Sequence, residues 1–383
     1  MHQRSSLLCI LLALFYVLIS NSLVTAAPAE IPAPPPTQGK AVLLMDAHSG
    51  RVLYERNAHQ RMSPASVTKI MTGLLVVENG NLNQTVEISK NAASTPESSV
   101  WLEEGEKITV CQLLYALMLN SANDASVALA ESVAGSVEAF VELMNQRARE
   151  LGMKNTNFRN PHGLEEDGHY TTAYDLGLLS REAMTYQTFS RVVATKTYKI
   201  PWANNDYERL LINKNRLLWR YDGAVGIKTG YTKKAGNCVV GAAQKGPLIL
   251  IAISLNSPTV YPDLQALFDY GFANYHLLTV KKAEELSVEV PVLNGREETV
   301  VAYPQTDLMV AVTDAEEAQT SYTVHIDDEI TAPVNEGQVV GHCTISVGGK
   351  EAGTIELIAG TSVAAKPPIL DLLKRVISVA VKV

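Results

Sequence analysis

The spacing of apolar positions changes twice along the chain and predicts two differently built regions. Short apolar, β-branched runs predict strands at residues 41–45 and 51–54, and again at 237–243 and 248–254. Between these two groups, apolar residues recur at helical intervals over residues 66–78, 113–120, 124–133, 137–151 and 174–185, and a last helix follows at 262–275. Strands from both ends of the segment therefore form one sheet, with a helical subdomain packed against it.

After Lys282 the pattern becomes that of strands alone. Residues 285–292 alternate, and short strands are predicted at 309–312, 322–326, 343–347 and 352–357. Gly348-Gly349 is typical of a hairpin turn between the last two. We predict an α/β (α+β) domain over residues 40–280 and a smaller all-β domain over residues 281–365.

The N-terminal segment has the layout of a targeting signal. Arg4 is followed by an apolar run from Leu7 to Leu18 and then by the small residues Val24-Thr25-Ala26. We predict a secretory signal peptide over residues 1–26, with an uncleaved anchor as the alternative. Residues 27–39 are rich in Pro and Ala, which predicts an extended spacer.

The C-terminal segment, residues 366–383, predicts an amphipathic helix. Its charged and polar residues fall within about 100° of a helical projection, and apolar residues occupy the rest. Four basic residues against one acidic residue give it a net charge of +3 (4 − 1). A helix of this length is too short to span a bilayer but suits a membrane interface. The alternative is a terminal helix packed on its own domain or on a partner.

Composition and charge exclude several classes of protein. The chain has 383 residues, of which 46% are hydrophobic and 19% charged, as in ordinary globular proteins. The net charge of −8 argues against a broad nucleic-acid surface. Apart from Cys9 in the signal segment, the cysteines are Cys111, Cys238 and Cys343, an odd and widely spaced set that predicts buried free thiols rather than disulfides or a metal site.

Three short motifs carry candidate chemistry and occur in a fixed order. They are Ser66-Val67-Thr68-Lys69, Ser121-Ala122-Asn123 and Lys228-Thr229-Gly230, separated by 55 (121 − 66) and 107 (228 − 121) residues. Taken singly, each is more simply a capped helix, a helix cap or a solvated edge strand. The ordered set is typical of serine enzymes of acyl transfer.

The first motif has the parts of an activated nucleophile. Ser66 opens a predicted helix, whose free N–H groups and positive dipole end favour a negatively charged oxygen. Lys69 lies three residues later, so its amine shares a helix face with the Ser66 hydroxyl. A lysine acts as a base only when it is neutral, and burial together with a second cation, Lys228, would lower its pKa.

The other two motifs can line a cleft. Ser121 and Asn123 lie in a polar loop between two predicted helices. Thr229 can bond a carboxylate that Lys228 attracts, and Gly230 allows a substrate backbone to approach an edge strand.

Longer matches surround these motifs, and with them the chain resembles the serine penicillin-recognising enzymes, specifically low-molecular-mass D-alanyl-D-alanine carboxypeptidases of the penicillin-binding protein 5 type. The matching segments are Met62–Thr72, Ser121–Ala125, Asn160–Leu164, His169–Ala173 and Gly226–Thr232. The resemblance covers nearly all of the mature chain. It implies a transpeptidase/β-lactamase-like catalytic domain with an antiparallel sheet and a helical subdomain, followed by the all-β domain and the amphipathic helix.

The resemblance also implies roles for the motif residues. It makes Ser66 the acylated nucleophile, Lys69 its base, Ser121 a proton relay toward the leaving D-alanine and Asn123 a ligand of the substrate amide. Lys228 and Thr229 would hold the terminal carboxylate beside Gly230, and the backbone N–H groups of Ser66 and Tyr231 would form the oxyanion hole. No metal or organic cofactor is implied.

The expected substrate is the stem peptide of peptidoglycan, with β-lactams as covalent inhibitors. The enzyme would be secreted and held on the outer face of the cytoplasmic membrane by its C-terminal helix, in the periplasm or cell-wall space. One departure concerns a basic residue that family members often carry on the strand after the Lys-Thr-Gly strand. Here that strand reads Pro247–Ile251, and Lys245 is the nearest base.

Other interpretations remain open at this point. A D,D-endopeptidase, a β-lactamase or a non-enzymatic wall-binding module would share the motifs. His162, Glu165, Glu166, Asp167 and His169 suggest a metal cluster, but their spacing matches no common zinc motif, and a polar loop near the cleft is the preferred interpretation. Glu165 and Glu166 also lack the local signature of a β-lactamase deacylating base.

Overall fold

The computed structural model describes residues 32–327 and 330–367. The predicted signal peptide and nearly all of the predicted amphipathic helix lie outside these ranges. Within them, no helix combines the length and the hydropathy that crossing a membrane requires. Gln38 and Gly39, at the end of the predicted spacer, donate backbone hydrogen bonds to Asp263.

The strands of the described ranges, in chain order, are β1 (Ala41–Asp46), β2 (Val52–Arg56), β3 (Thr85–Glu87), β4 (Lys107–Thr109), β5 (Thr197–Ile200), β6 (Arg209–Ile212), β7 (Ala224–Thr232), β8 (Gly236–Lys245), β9 (Leu248–Leu255), β10 (His276–Lys281), β11 (Val288–Pro291), β12 (Thr299–Pro304), β13 (Leu308–Val312), β14 (Thr320–Ile326), β15 (Val339–Val347) and β16 (Lys350–Ala359). The α-helices are α1 (Lys69–Asn79), α2 (Lys90–Ala93), α3 (Val110–Tyr115), α4 (Asn123–Ala134), α5 (Val137–Glu150), α6 (Ala173–Thr185), α7 (Gln187–Ala194), α8 (Leu217–Arg220), α9 (Val260–Asn274) and α10 (Asp314–Glu317).

The main sheet is antiparallel, in the order β2-β1-β9-β8-β7. It joins N-terminal and C-terminal strands, as the sequence predicts. Every residue of β1 is buried, because both faces of the sheet are covered. Leu43 packs into the core shared with the helical region, whereas its neighbour Leu44 packs with α9. Alternating side chains of one strand thus serve two cores.

The helical region surrounds α1, most of which is buried. It includes two small ribbons, β3–β4 and β5–β6, and the helix α7, none of which the sequence analysis predicted. Strands of three or four residues give too few alternations to be recognised by pattern.

The C-terminal part contains a five-stranded antiparallel sheet, in the order β11-β12-β16-β15-β14, and the pair β10–β13. Burial alternates strictly along β12, and the buried side chains form a separate core. The all-β architecture is therefore as predicted. The boundary near residue 280 remains a proposal, since β10 already pairs with β13. Cys111, Cys238 and Cys343 are free thiols, although Cys111 is only half-buried.

Contacts between the two parts centre on the β1–β2 turn. Arg51 Nη2 lies 2.5 Å from Glu316 Oε1, and Arg51 Nη1 donates to the Ala311 carbonyl at 2.7 Å. The Ala311 N–H donates in turn to the buried carboxylate of Asp46 at 3.0 Å. These bonds join the main sheet to β13 and α10.

Candidate active site

Ser66 lies where a 3₁₀ turn, Ala65–Thr68, runs directly into α1. Ala65 has a left-handed φ of +49°. The turn packs tightly against β7, because a Cβ atom at Gly230 would lie 2.8 Å from the Ser66 backbone nitrogen and 3.0 Å from that of Val67. Only glycine therefore allows β7 to approach the start of the helix so closely.

Lys69 is fully buried and its amine touches Ser66. Nζ lies 3.1 Å from Ser66 Oγ, 2.7 Å from Asn123 Oδ1 and 2.6 Å from the His162 carbonyl oxygen. A neutral amine has two N–H donors and one lone pair. It can therefore donate to Asn123 and to the His162 carbonyl while it accepts the Ser66 proton.

The surroundings favour that neutral form. Burial, followed by the charges of Lys228 and Lys214, holds the pKa of Lys69 well below its usual range. The carboxylates of Asp124 and Glu97 act in the opposite direction with smaller effect. Since desolvation and like charge both disfavour an ammonium, the site favours a neutral amine at Lys69.

Ser121 occupies a strained position two residues before Asn123, which accepts a hydrogen bond from Lys69. α3 continues into a π-helical turn, Ala116–Asn120, and Ser121 ends it with left-handed φ and ψ of 62° and 34°. Its buried hydroxyl has no hydrogen-bond partner among the described residues. A strained backbone and an unpartnered buried hydroxyl together are typical of a functional position.

Asn123 and the following Asp124 hold one wall of the cleft. Asn123 Nδ2 donates to the Pro96 carbonyl at 2.8 Å, so both ends of its amide are engaged. Asp124, which the sequence analysis did not single out as a site residue, accepts bonds from the N–H groups of Val100 and Leu102, each at 3.1 Å. The second motif therefore fixes the loop before β4.

The third motif lies on β7, an edge strand of the main sheet. Lys228 is buried, and its Nζ donates to the Thr229 carbonyl at 3.0 Å. Burial, with the charge of Lys214, lowers the pKa of Lys228 to about 7. Thr229 and Gly230 are half-buried and Tyr231 is exposed, so the far edge of β7 is accessible to an extended substrate.

Lys214 is a third lysine of the site, which the sequence analysis missed. Its Nζ lies 3.5 Å from Ser98 Oγ, and its backbone N–H donates to Leu119 just before the second motif. Asn213 and Asn215 on either side are buried. The polar triplet Asn213-Lys214-Asn215, which lies between β6 and α8, was the sequence signal that could have revealed this lysine.

The sequence analysis placed the missing basic residue near Ile249, but the part of β9 level with this cleft is Ile253–Leu255, which carries no basic residue either. Lys228 pairs with Val240, which pairs with Ile253, whereas Ile249 pairs with Gln244. Four residues along a strand correspond to about 13 Å. A side chain at Ile249 is thus too distant to reach a carboxylate at Thr229.

The loop 160–170 forms hydrogen bonds with the 3₁₀ turn and the first turns of α1. Pro161 accepts from Thr72 Oγ1 at 2.6 Å, next to the His162 carbonyl that receives Lys69. His169 accepts from the Arg159 N–H at Nδ1, so its Nε2–H donates to Thr68 Oγ1 at 2.9 Å. Across the described part of the chain, no three His, Cys, Asp or Glu residues converge as a metal site would require.

Comparison with known proteins agrees with this geometry. A D-alanyl-D-alanine carboxypeptidase family profile matches residues 28–259. The profile of the penicillin-binding protein 5 C-terminal domain matches residues 275–365.

Relatives and solved structures cover most of the chain. D-alanyl-D-alanine carboxypeptidase DacF of Bacillus subtilis is 34% identical over 86% of this chain and 85% of its own length. Penicillin binding protein 5 of Haemophilus influenzae has a similar structure, with a TM-score of 0.68 at 28% identity over 87% of this chain and 99% of that one. A single-residue mutant of the Streptomyces K15 DD-transpeptidase aligns with 62% of this chain and 99% of its own, with a TM-score of 0.59 at 35% identity. The chain therefore belongs to the D-alanyl-D-alanine carboxypeptidase family of serine peptidases.

Proposed function

We propose that Ser66 carries the acyl group in the D-Ala-D-Ala carboxypeptidase reaction of this family, and that Lys69 is its base. The observation that supports this most directly is the buried amine 3.1 Å from the Ser66 hydroxyl, with a pKa held low by burial and by two neighbouring lysines. A non-catalytic binding module has no need of such a pair.

The proposed reaction begins when neutral Lys69 takes the proton of Ser66. Ser66 Oγ attacks the carbonyl carbon of the penultimate D-alanine, and the backbone N–H groups of Ser66 and Tyr231 receive the developing oxyanion. Ser121 gives its proton to the leaving amine and receives the one held by Lys69, so the peptide bond breaks, D-alanine departs and Lys69 is neutral again. Water then hydrolyses the ester and restores Ser66.

The terminal carboxylate would be held at β7. We assign this role to Thr229 with the charges of Lys228 and Lys214, because all three border the cleft and no carboxylate forms an ion pair with either lysine in the described residues. Gly230 keeps the substrate backbone close to Ser66. β-Lactams would acylate Ser66 in the same orientation, since their ring amide replaces the D-Ala-D-Ala bond.

Membership of the family indicates a location outside the cytoplasm, where a peptidoglycan peptidase acts. We propose that residues 366–383 hold the enzyme on the outer face of the cytoplasmic membrane and that the all-β domain, residues 281–365, sets the height of the catalytic domain, residues 40–280. Deleting residues 369–383 should move the protein from the membrane fraction to the supernatant. A deletion variant that stays membrane-bound would show that another segment anchors it.

Intact-mass spectrometry after mixing with benzylpenicillin tests the assignment of Ser66. We expect one adduct that persists for minutes or longer on the parent protein and none on Ser66→Ala, together with D-alanine release from a synthetic peptide ending in D-Ala-D-Ala. An adduct that disappears rapidly while the drug is consumed would indicate a β-lactamase. The absence of both adduct and D-alanine release would overturn the proposal.

A further inference from the structure

Three aromatic side chains beside the cleft have no part in the proposed reaction. Trp101 is 68% exposed and Tyr207 is 63% exposed. Trp202 lies between them, with its ring nearly parallel to that of Trp101 at a centroid distance of 6.4 Å and edge-on to Tyr207 at 5.6 Å. We call these three residues the aromatic platform. Grouped large rings left open to solvent are typical of an interaction surface.

A buried ion pair holds the platform in place. Arg209 and Glu106 form two bonds, at 2.5 and 2.8 Å, and both side chains are at most 4% exposed. The guanidinium also donates to the Trp101 carbonyl at 2.8 Å and to the Pro201 carbonyl at 2.7 Å. One buried cation thus fixes both chain segments that carry the tryptophans, so the exposed rings do not depend on loose loops.

The platform is continuous with the cleft. Asp124 binds the N–H groups of Val100 and Leu102, the two neighbours of Trp101. The adjacent residue, Asn123, binds Lys69 and the Pro96 carbonyl. The second catalytic motif therefore positions Trp101 at the rim of the site, where any extension of a bound substrate beyond the cleft could reach it.

The charges around the platform point to a neutral ligand. Four acidic residues lie close to it along the chain: Glu103, Glu104, Asp206 and Glu208. Lys199 is paired with Glu208 at 3.3 Å. Acidic surroundings repel anionic lipids, nucleic acids and acidic polymers. Aromatic faces instead suit the C–H faces of sugar rings, whose hydroxyls can bond the polar rim.

The proposed substrate supplies such a ligand, since stem peptides are joined to a sugar polymer. We propose, resting on the proposed function, that the aromatic platform binds the glycan portion of peptidoglycan while the attached stem peptide occupies the cleft. The platform then gives the enzyme a preference for glycan-linked over free peptides.

The first test compares kcat/KM for a disaccharide-pentapeptide with that for the free pentapeptide. We expect Trp101→Ala and Tyr207→Ala each to lower the ratio about fivefold, the scale of a single aromatic contact. Tyr303→Ala, an exposed tyrosine of β12, should leave the ratio unchanged. Equal losses on both substrates would show that the rings only support the cleft, and an unchanged ratio in both variants would also overturn the proposal.

The second test measures binding directly. The chain has three tryptophans, so in Trp219→Phe the tryptophan fluorescence comes from the platform alone. Glycan strands stripped of stem peptides should change this fluorescence in a saturable way, and Tyr207→Ala should weaken the response. A response to lipid vesicles but not to glycan would assign the surface to lipid and refute the proposal.

Failure of this inference is distinguishable from failure of the proposed function. Penicillin adducts and D-alanine release from the free peptide report the reaction alone. If both persist while the glycan effects are absent, only the platform proposal falls.

Discussion

The catalytic cleft and the C-terminal sheet are built by opposite rules. In the sheet, burial along β12 alternates at every residue, and the turn at Gly348 and Gly349 has the positive φ values that glycine accommodates. In the cleft, Lys69 and Lys228 are buried, and Ser121 is left-handed with a hydroxyl that has no hydrogen-bond partner in the described part of the chain. The first region follows the local preferences for burial and backbone conformation, and the second departs from them at Lys69, Lys228 and Ser121.

This difference shows that the candidate functional groups lie where the structure departs from local preference. Burying a lysine that forms no ion pair among the described residues is costly, as is left-handed backbone at a residue other than glycine. The large core around α1 stabilises the structure that keeps these groups in place. Four substitutions sharpen the comparison, from the largest expected effect to the smallest.

Replacing Lys69 should have the largest effect on activity. In Lys69→Met the Ser66 hydroxyl loses its proposed base, so the rate of acylation by benzylpenicillin should fall about 10³-fold, within the range known for general bases. The matched control is Lys350→Met, an exposed lysine at the start of β16, which should acylate at the parent rate. Acylation of Lys69→Met within tenfold of the parent would mean that another group is the base.

The second largest effect should come from adding one methyl group at a glycine, which should affect activity in the cleft but only stability in the C-terminal sheet. Gly230→Ala places a Cβ 2.8 Å from the Ser66 nitrogen, so β7 must move and acylation should fall about 10²-fold. Gly349→Ala meets no atom within 4 Å but has a φ of +74°, so it should cost about 1 kcal/mol of stability and leave acylation unchanged. Stopped-flow acylation and thermal unfolding measure both. Equal loss of activity in the two variants would contradict the comparison.

The stability of the cleft should depend on alkaline pH through Lys228. The pKa of this lysine is about 7 in the folded chain, against an ordinary value of 10.5. Between these values the unfolded chain holds a proton that the folded chain has released, so stability rises with pH, by up to about 1.4 kcal/mol per pH unit. Below pH 7 both states are protonated and this group adds no slope.

Lys228→Met removes that contribution. Denaturant unfolding from pH 7 to pH 9.5 should therefore give a shallower rise in the free energy of unfolding for Lys228→Met than for the parent. The variant should also be more stable than the parent at pH 7, because a buried charge is absent. Identical slopes would show that Lys228 stays protonated in the fold throughout this range.

The regular region is also the one that sequence pattern predicted best. Most strands of the two large sheets appear where alternation or apolar runs placed them, because long strands repeat their period several times, but β12 was not predicted despite its regular alternation. Of the candidate residues, Ser66 and Asn123 both contact the Lys69 amine and Gly230 packs against Ser66, while the roles given to the candidate residues stay predictions. Lys214 was not predicted, because its place depends on the short ribbon β5–β6, whose strands are too brief to show a pattern.

The joint between the two regions should show the smallest effect. Glu316→Gln removes the charge that faces Arg51 at 2.5 Å but keeps an oxygen for the Thr313 N–H that now donates to Oε2 at 3.0 Å. Both partners of the ion pair are partly exposed, so the loss should be about 1 kcal/mol and should shrink at high salt. Acylation should stay within twofold of the parent, because the cleft shares no residue with the joint. Calorimetric unfolding and penicillin acylation of the same samples measure both quantities. A large loss of acylation would show that the C-terminal sheet shapes the cleft itself. The two regions would then not be independent, and the ion pair of Arg51 would couple them.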